Sequence, residues 1–173
     1  HHHGEFDPHT WLDPVLAQDM IDSITQALTK VDPANKEIFQ TRAQTLKEKF
    51  SKLDTDYSTT LNNCGQNEVI TSHDAFGYVA RRYGFKIHTI TGISTQDEPS
   101  AKTLATLKEE AEEGITHILI EENNVRRFAD TLIAETGLKA LPINPLGRGT
   151  LDENKDFLDI AKENLESFKT ALN

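Results

Sequence analysis

From Ala34 to Cys64 the chain contains neither glycine nor proline, and that run limits its folds more than any other feature. Asp32-Pro33, just before it, reads as a helix cap followed by proline at the first helical position. Phe39, Leu46, Phe50, Leu53 and Tyr57 then recur at steps of seven, four, three and four, a helical period. The spacing predicts one helix from about Pro33 to Leu61, roughly 40 Å long at 1.5 Å per residue. A compact lobe needs no helix of that length. Two architectures suit it: a spar crossing between two lobes, or one member of a long antiparallel bundle.

Upstream, Asp13-Pro14 is a second cap-plus-proline start, and Leu16, Met20, Ile24 and Leu28 form one apolar stripe. Downstream, short β-rich runs alternate with helical patterns. The runs are 68–71, 85–90, 116–120 and a weaker 138–143. Helical patterns fill 75–83, 100–113, 124–136 and 153–172. Alternation on this scale implies βαβ units and a parallel sheet. The expected fold class is therefore α/β: a long helix plus a C-terminal lobe with a four-stranded parallel sheet flanked by helices. Gly84, Gly114 and Gly137 each follow a helical pattern, where a residue with positive φ is wanted.

The net charge of −10 over 173 residues argues against nucleic acid or an anionic membrane surface as the main partner. No apolar run approaches the ~20 residues of a membrane span, and no signal peptide opens the chain. Cys64 is the single cysteine, so no internal disulfide forms.

In an open parallel sheet, ligands bind beyond the carboxyl ends of the strands. Ser72-His73-Asp74, Thr91 to Ser94, Glu121-Glu122-Asn123 and Asn144 to Gly147 fall at the four expected ends. His73 is the strongest single candidate, although a helix-start histidine bonded to backbone fits equally well. His9, before Thr10-Trp11, reads as packing or capping when taken alone. No short zinc spacing links the two. There is no GxSxG elbow, P-loop or GxGxxG. Acid pairs such as Glu109-Glu110 and Glu112-Glu113 read as solvated surface. His88 and His117 fall within strand runs and read as core or edge histidines.

The segments "GEFDPHTWLDP", "VDPANKEIFQTRAQTL", "TSHDAFGYVARRYGF", "GISTQDEPSAKTLATL" and "ILIEENNVRRFADTLIAETG" occur in this order. In them the chain resembles the solute-binding proteins of zinc and manganese ABC importers, above all the zinc-uptake (ZnuA-like) members. The likeness runs from Gly4 onward and reaches the second part of such a protein. Its implications are specific. Residues 1–30 would be the end of an N-terminal lobe, 31–65 the connecting helix and 66–173 the C-terminal lobe, with the metal in the cleft between lobes. His9 matches a ligand from the N-lobe side and His73 one from the C-lobe. A further histidine would come from the N-terminal lobe, which is expected to lie outside this chain.

The resemblance also implies a role for the run His1, His2 and His3, as the end of a His-rich, metal-collecting insertion; a purification remnant is the other reading. Many family members supply an acidic fourth ligand from the segment matching "LPINPLGRG". Asn144 stands where an Asp would fall and Gly147 where some zinc members place Glu, which leaves water or the Asn144 amide oxygen. Glu121 and Asp74 are candidates to support the ligands from behind. His at position 73, where some manganese-type members carry Glu, favours zinc over manganese. The implied function is extracytoplasmic zinc capture for an ABC importer permease, in the periplasm or at the cell surface, with lipid anchoring compatible. Imidazoles bind metal only when neutral, so affinity should fall below about pH 6.5. The alternatives are a zinc-dependent hydrolase, since three histidines and an open position also describe catalytic zinc, and a surface adhesin. With no candidate general base beyond Glu121 and Glu122, no enzyme is expected.

Overall fold

A computed structural model describes residues 6–93, 98–121, 126–146 and 154–173. The chain opens with a 3-10 turn, Thr10–Leu12, and helix α1, Pro14–Val31. Asp13 caps α1 as its sequence suggests: one carboxylate oxygen accepts the N–H groups of Val15 and Leu16 at 2.8 and 3.1 Å. A second 3-10 turn, Pro33–Asn35, leads into α2, Lys36–Leu61. Here the expectation needs correcting. Asp32 does not cap the backbone; its carboxylate accepts the Asn35 side-chain amide at 2.6 Å, and the first turn is 3-10 rather than α. Helix α2 is 26 residues long, about 39 Å.

Beyond it, β1 (Glu68–His73), α3 (Gly77–Tyr83), β2 (Lys86–Thr91), α4 (Ala101–Glu112), β3 (His117–Ile120), α5 (Arg126–Thr136), β4 (Lys139–Pro142) and α6 (Phe157–Leu172) alternate as expected. The four strands form one parallel sheet in the order β2-β1-β3-β4. Strand β1 runs two residues further than its β-rich run, so His73 ends the strand, opposite Thr91 of β2. Gly84, Gly114 and Gly137 all have positive φ. At φ 80°, Gly84 closes α3 with its N–H on the Ala80 carbonyl.

The strand period of two divides the core into two layers. Val69 and Leu119 face one layer, with Phe76, Phe85, Phe168 and the second half of α2. Ile70, Ile118 and Ile120 face the other, with Leu107 of α4 and Leu132 of α5. Phe168 is wholly buried and stacks against Phe76 and Phe85 at ring-centroid distances of 5.4 and 5.2 Å. Helix α1 packs back along α2, with Ala17 and Ile21 against the first layer. The predicted stripe on α1 points the other way: Met20, Ile24 and Leu28 are exposed, Ile24 to 56%. Among the described residues, no helix is long and apolar enough to cross a membrane.

Candidate metal centre

The strand order places β1 and β3 side by side while their chain connections leave in opposite directions. Such a switch point opens a crevice at the carboxyl edge. His73 ends β1 there and Glu121 follows β3. His73 is 4% exposed and Glu121 is also buried. The Glu121 Oε1 atom takes the Nδ1–H of His73 and also accepts the Ser72 hydroxyl at 3.3 Å. The Ser72 hydroxyl in turn accepts the Glu121 backbone N–H at 3.2 Å. A carboxylate cannot donate, so the proton sits on Nδ1 and the His73 lone pair is on Nε2.

His9 arrives from the other side of the crevice. It is buried, and its ring lies 5.4 Å from that of His73 at 65°. Asp7 does for His9 what Glu121 does for His73. Its Oδ1 accepts both the His9 backbone N–H at 3.0 Å and the ring Nδ1–H at 2.7 Å. Both imidazoles therefore keep Nε2 as the available ligand atom. A carboxylate on the remote nitrogen fixes the ring and raises the basicity of the free one, the arrangement found behind metal-bound histidines.

Three contacts dock the His9 segment onto the lobe. Tyr78 donates its hydroxyl to the Asp7 carbonyl at 3.0 Å. One helical turn further on, Arg82 Nε meets both carboxylate oxygens of the buried cap residue Asp13, at 2.7 and 2.6 Å. Trp11 donates its indole N–H to the Pro145 carbonyl at 2.8 Å and lays its ring 5.3 Å from His9.

The local charge is negative. Asp7 Oδ2 and Asp74 Oδ1 lie 3.4 and 3.5 Å from where a Cβ on Gly77 would stand, so both carboxylates crowd that glycine. Burial, and next the Asp7 charge, push the Asp74 carboxyl above the usual carboxylate range. A dication beside the two histidines would relieve this.

Asn144 is differently employed. Its amide oxygen accepts the Leu146 N–H at 2.8 Å, bracing Leu146 at a positive φ of 59°. Its backbone is gripped by the buried Asn164, which accepts the Asn144 N–H at 2.9 Å and donates to the Asn144 carbonyl at 2.7 Å. The structure thus groups His9, His73 and Glu121, sets Asp74 beside Asp7, and shows Asn144 holding a turn. His1, His2, His3, Glu122 and Gly147 lie outside the described residues. Asp7, Asn164 and the Tyr78–Arg82 pair escaped sequence reasoning. The pair had a signal, because an i, i+4 spacing on a short helix puts both on one face. Asn164 had none.

Two buried imidazoles beside carboxylates are a donor set that suits a borderline-soft divalent ion. The sequence matches the family described as zinc-uptake complex component A, periplasmic (ZnuA), over residues 1–171, and the chain belongs to that family. It is a family of zinc-uptake components, not of enzymes. The chain is 42% identical over 171 residues to the high-affinity zinc uptake system protein ZnuA of Bacillus subtilis, covering 96% of this chain and 53% of that protein. It therefore spans about half the length of that relative. The Zn(II)-bound ZnuA-like domain of AdcA from Streptococcus pneumoniae superposes with a TM-score of 0.81 at 36% identity, over 99% of this chain and 66% of that one. The laminin-binding protein Lmb of Streptococcus agalactiae, described as bifunctional with adhesin and metal transporting activity, superposes at 0.91 with 31% identity, over 97% and 65%. The long-helix and parallel-sheet fold is that of these proteins.

Proposed function

We propose that this chain is the C-terminal portion of an extracytoplasmic zinc-binding protein that captures the ion and delivers it to the permease of an ABC importer. The observation that carries the reading is the pair of buried histidines, 5.4 Å apart, each with its Nδ1–H held by a carboxylate. His9 and His73 would give Nε2 to the ion. Asp7 and Glu121 would orient them, and the charge of Asp74 would favour a dication. Imidazole donors select zinc over manganese. A third nitrogen would come from an N-terminal lobe. The exposed row of Met20, Ile24 and Leu28 gives that lobe an apolar face to cover, which supports reading residues 14–31 as its edge and α2 as the connecting helix. Water or the second lone pair of the Asn144 amide oxygen would complete four ligands. A single stiff helix between lobes would keep release to small shifts rather than wide opening.

Calorimetric zinc titration of this chain, its His73→Ala form and a version extended by the N-terminal lobe tests the reading. One tightly bound zinc in the extended protein, lost with His73→Ala, is the expected result. Unchanged affinity in His73→Ala, with loss only when His1 to His3 are removed, would overturn it. Adhesion is a second reading, supported by the likeness to laminin-binding proteins such as Lmb; metal-independent binding to immobilised laminin would favour it.

A further inference from the structure

At the opposite, amino-terminal edge of the sheet, three side chains from three elements meet. Glu68 opens β1, His88 lies on β2, and Glu110 sits in the last turn of α4. Each offers a ligand atom within 4.8 Å of the other two, and all three are half-buried. His88 Nε2 is 2.8 Å from Glu68 Oε2 and its Nδ1 is 3.6 Å from Glu110 Oε1. A neutral imidazole carries one N–H and cannot serve two carboxylates. When the ring is neutral its one N–H goes to Glu68 over the short contact and the Nδ1 lone pair faces Glu110 Oε1; a second proton on Nδ1 or a metal ion between the two would join them. The gap of 3.6 Å is close to the roughly 3.3 Å that separates two ligands, each about 2 Å from a tetrahedral zinc.

Two further features point the same way. Glu110 stands at a helix C-terminus, where the macrodipole is already negative, and the last turn of α4 contains no basic residue. The resident counter-ion is Lys86, whose ammonium lies 2.7 Å from the other Glu68 oxygen, Oε1. Lys86 also feels the Glu110 charge, so one ammonium faces both carboxylates. The pattern of His9 with Asp7 and His73 with Glu121 recurs here as His88 with Glu68.

We propose that His88 and Glu110 form a second site for a divalent first-row transition ion, zinc above all, with Glu68 holding the imidazole in place and water filling the remaining positions. The ion would pin α4 to β1 and β2, well away from the His9–His73 crevice. This site does not depend on the zinc-delivery reading.

Zinc calorimetry at neutral pH on the whole chain and on His73→Ala, His88→Ala, Glu110→Gln and Glu68→Gln tests it, with far-UV circular dichroism confirming that each variant is folded. His88→Ala and Glu110→Gln should each lose one zinc equivalent that His73→Ala keeps, and Glu68→Gln should bind that equivalent 10- to 100-fold more weakly. The same number of equivalents in His88→Ala and Glu110→Gln as in the parent would overturn the proposal and leave the trio an ion-pair clamp. Glu110→Gln replaces a half-buried charge with its isostere, so it reports on the site even if His88→Ala proves unstable.

Discussion

The two halves of α2 live in different surroundings. From Phe50 onward, Phe50, Leu53, Tyr57 and Leu61 are buried in the core layer that also holds Phe76 and Phe168. Before Phe50 the helix has α1 for company, and Ile38 and Leu46 are exposed. One unbroken helix therefore runs from a finished core into an unfinished one. The helical period alone fixes that α2 is a helix; what each half contributes to stability depends on what lies against it. The His9–His73 crevice is built at the finished end, where its N-terminal segment is tied both by polar anchors and by Leu12 and Trp11 packed against that core.

Substitutions separate the two regions. Phe168→Ala in the finished core should cost about 4 kcal/mol, as large aromatic truncations do. Ile24→Ala on the open face of α1 should stay within about 0.5 kcal/mol. Urea denaturation of both reads the contrast, and equal costs would break it. Next in size, Arg82→Ala should cost about 2 kcal/mol, because it leaves the buried Asp13 carboxylate with its two cap N–H groups alone. Tyr78→Phe should cost about 1 kcal/mol by losing one hydrogen bond.

The finished core also sets an alkaline limit. Tyr57 donates to the Ala161 carbonyl at 2.7 Å and Tyr83 to Asp54 at 2.9 Å. Burial pushes both phenols well above the usual tyrosine range, aided at Tyr83 by the hydrogen bond to Asp54. Raised folded-state values mean that this contribution is fully present below the unfolded value near pH 10. It is lost as pH rises beyond it, because only the unfolded chain ionises readily. Thermal melts of the parent should decline above about pH 10, and Tyr57→Phe should flatten part of that decline. The smallest contrast is dynamic: amides of α2 between residues 40 and 48 should exchange with deuterium faster than those between 52 and 60.

Much of this was legible in the sequence. The Gly- and Pro-free run gave α2, and the β-rich runs gave all four strands within a residue or two at most ends. His73 stood out because it follows the β-rich run 68–71, and the crevice forms where strands end. His9 was legible only through the DPHxW resemblance, since nothing local distinguishes a buried ligand histidine from a packed one. The carboxylates behind the rings divide in the same way. Glu121 could be placed at the sheet edge, but its bond to His73 depends on β1 and β3 being neighbours, which alternation does not specify. The α1 stripe was read as apolar, and Met20, Ile24 and Leu28 are exposed; a periodicity cannot report what a face packs against. His88 is a strand histidine as expected; its neighbours Glu68 and Glu110 are distant in sequence and meet it only through the register of β1 with β2 and the return of α4.

If His9 and His73 hold one ion together through Nε2, long-range 1H–15N correlation of the seven histidine rings during zinc titration will show it. The His9 and His73 rings should respond together to the same equivalent of zinc, each keeping its proton on Nδ1 and losing the free lone pair on Nε2. Response of His1 to His3 or His88 while the His9 and His73 signals stay unmoved at saturating zinc would contradict it.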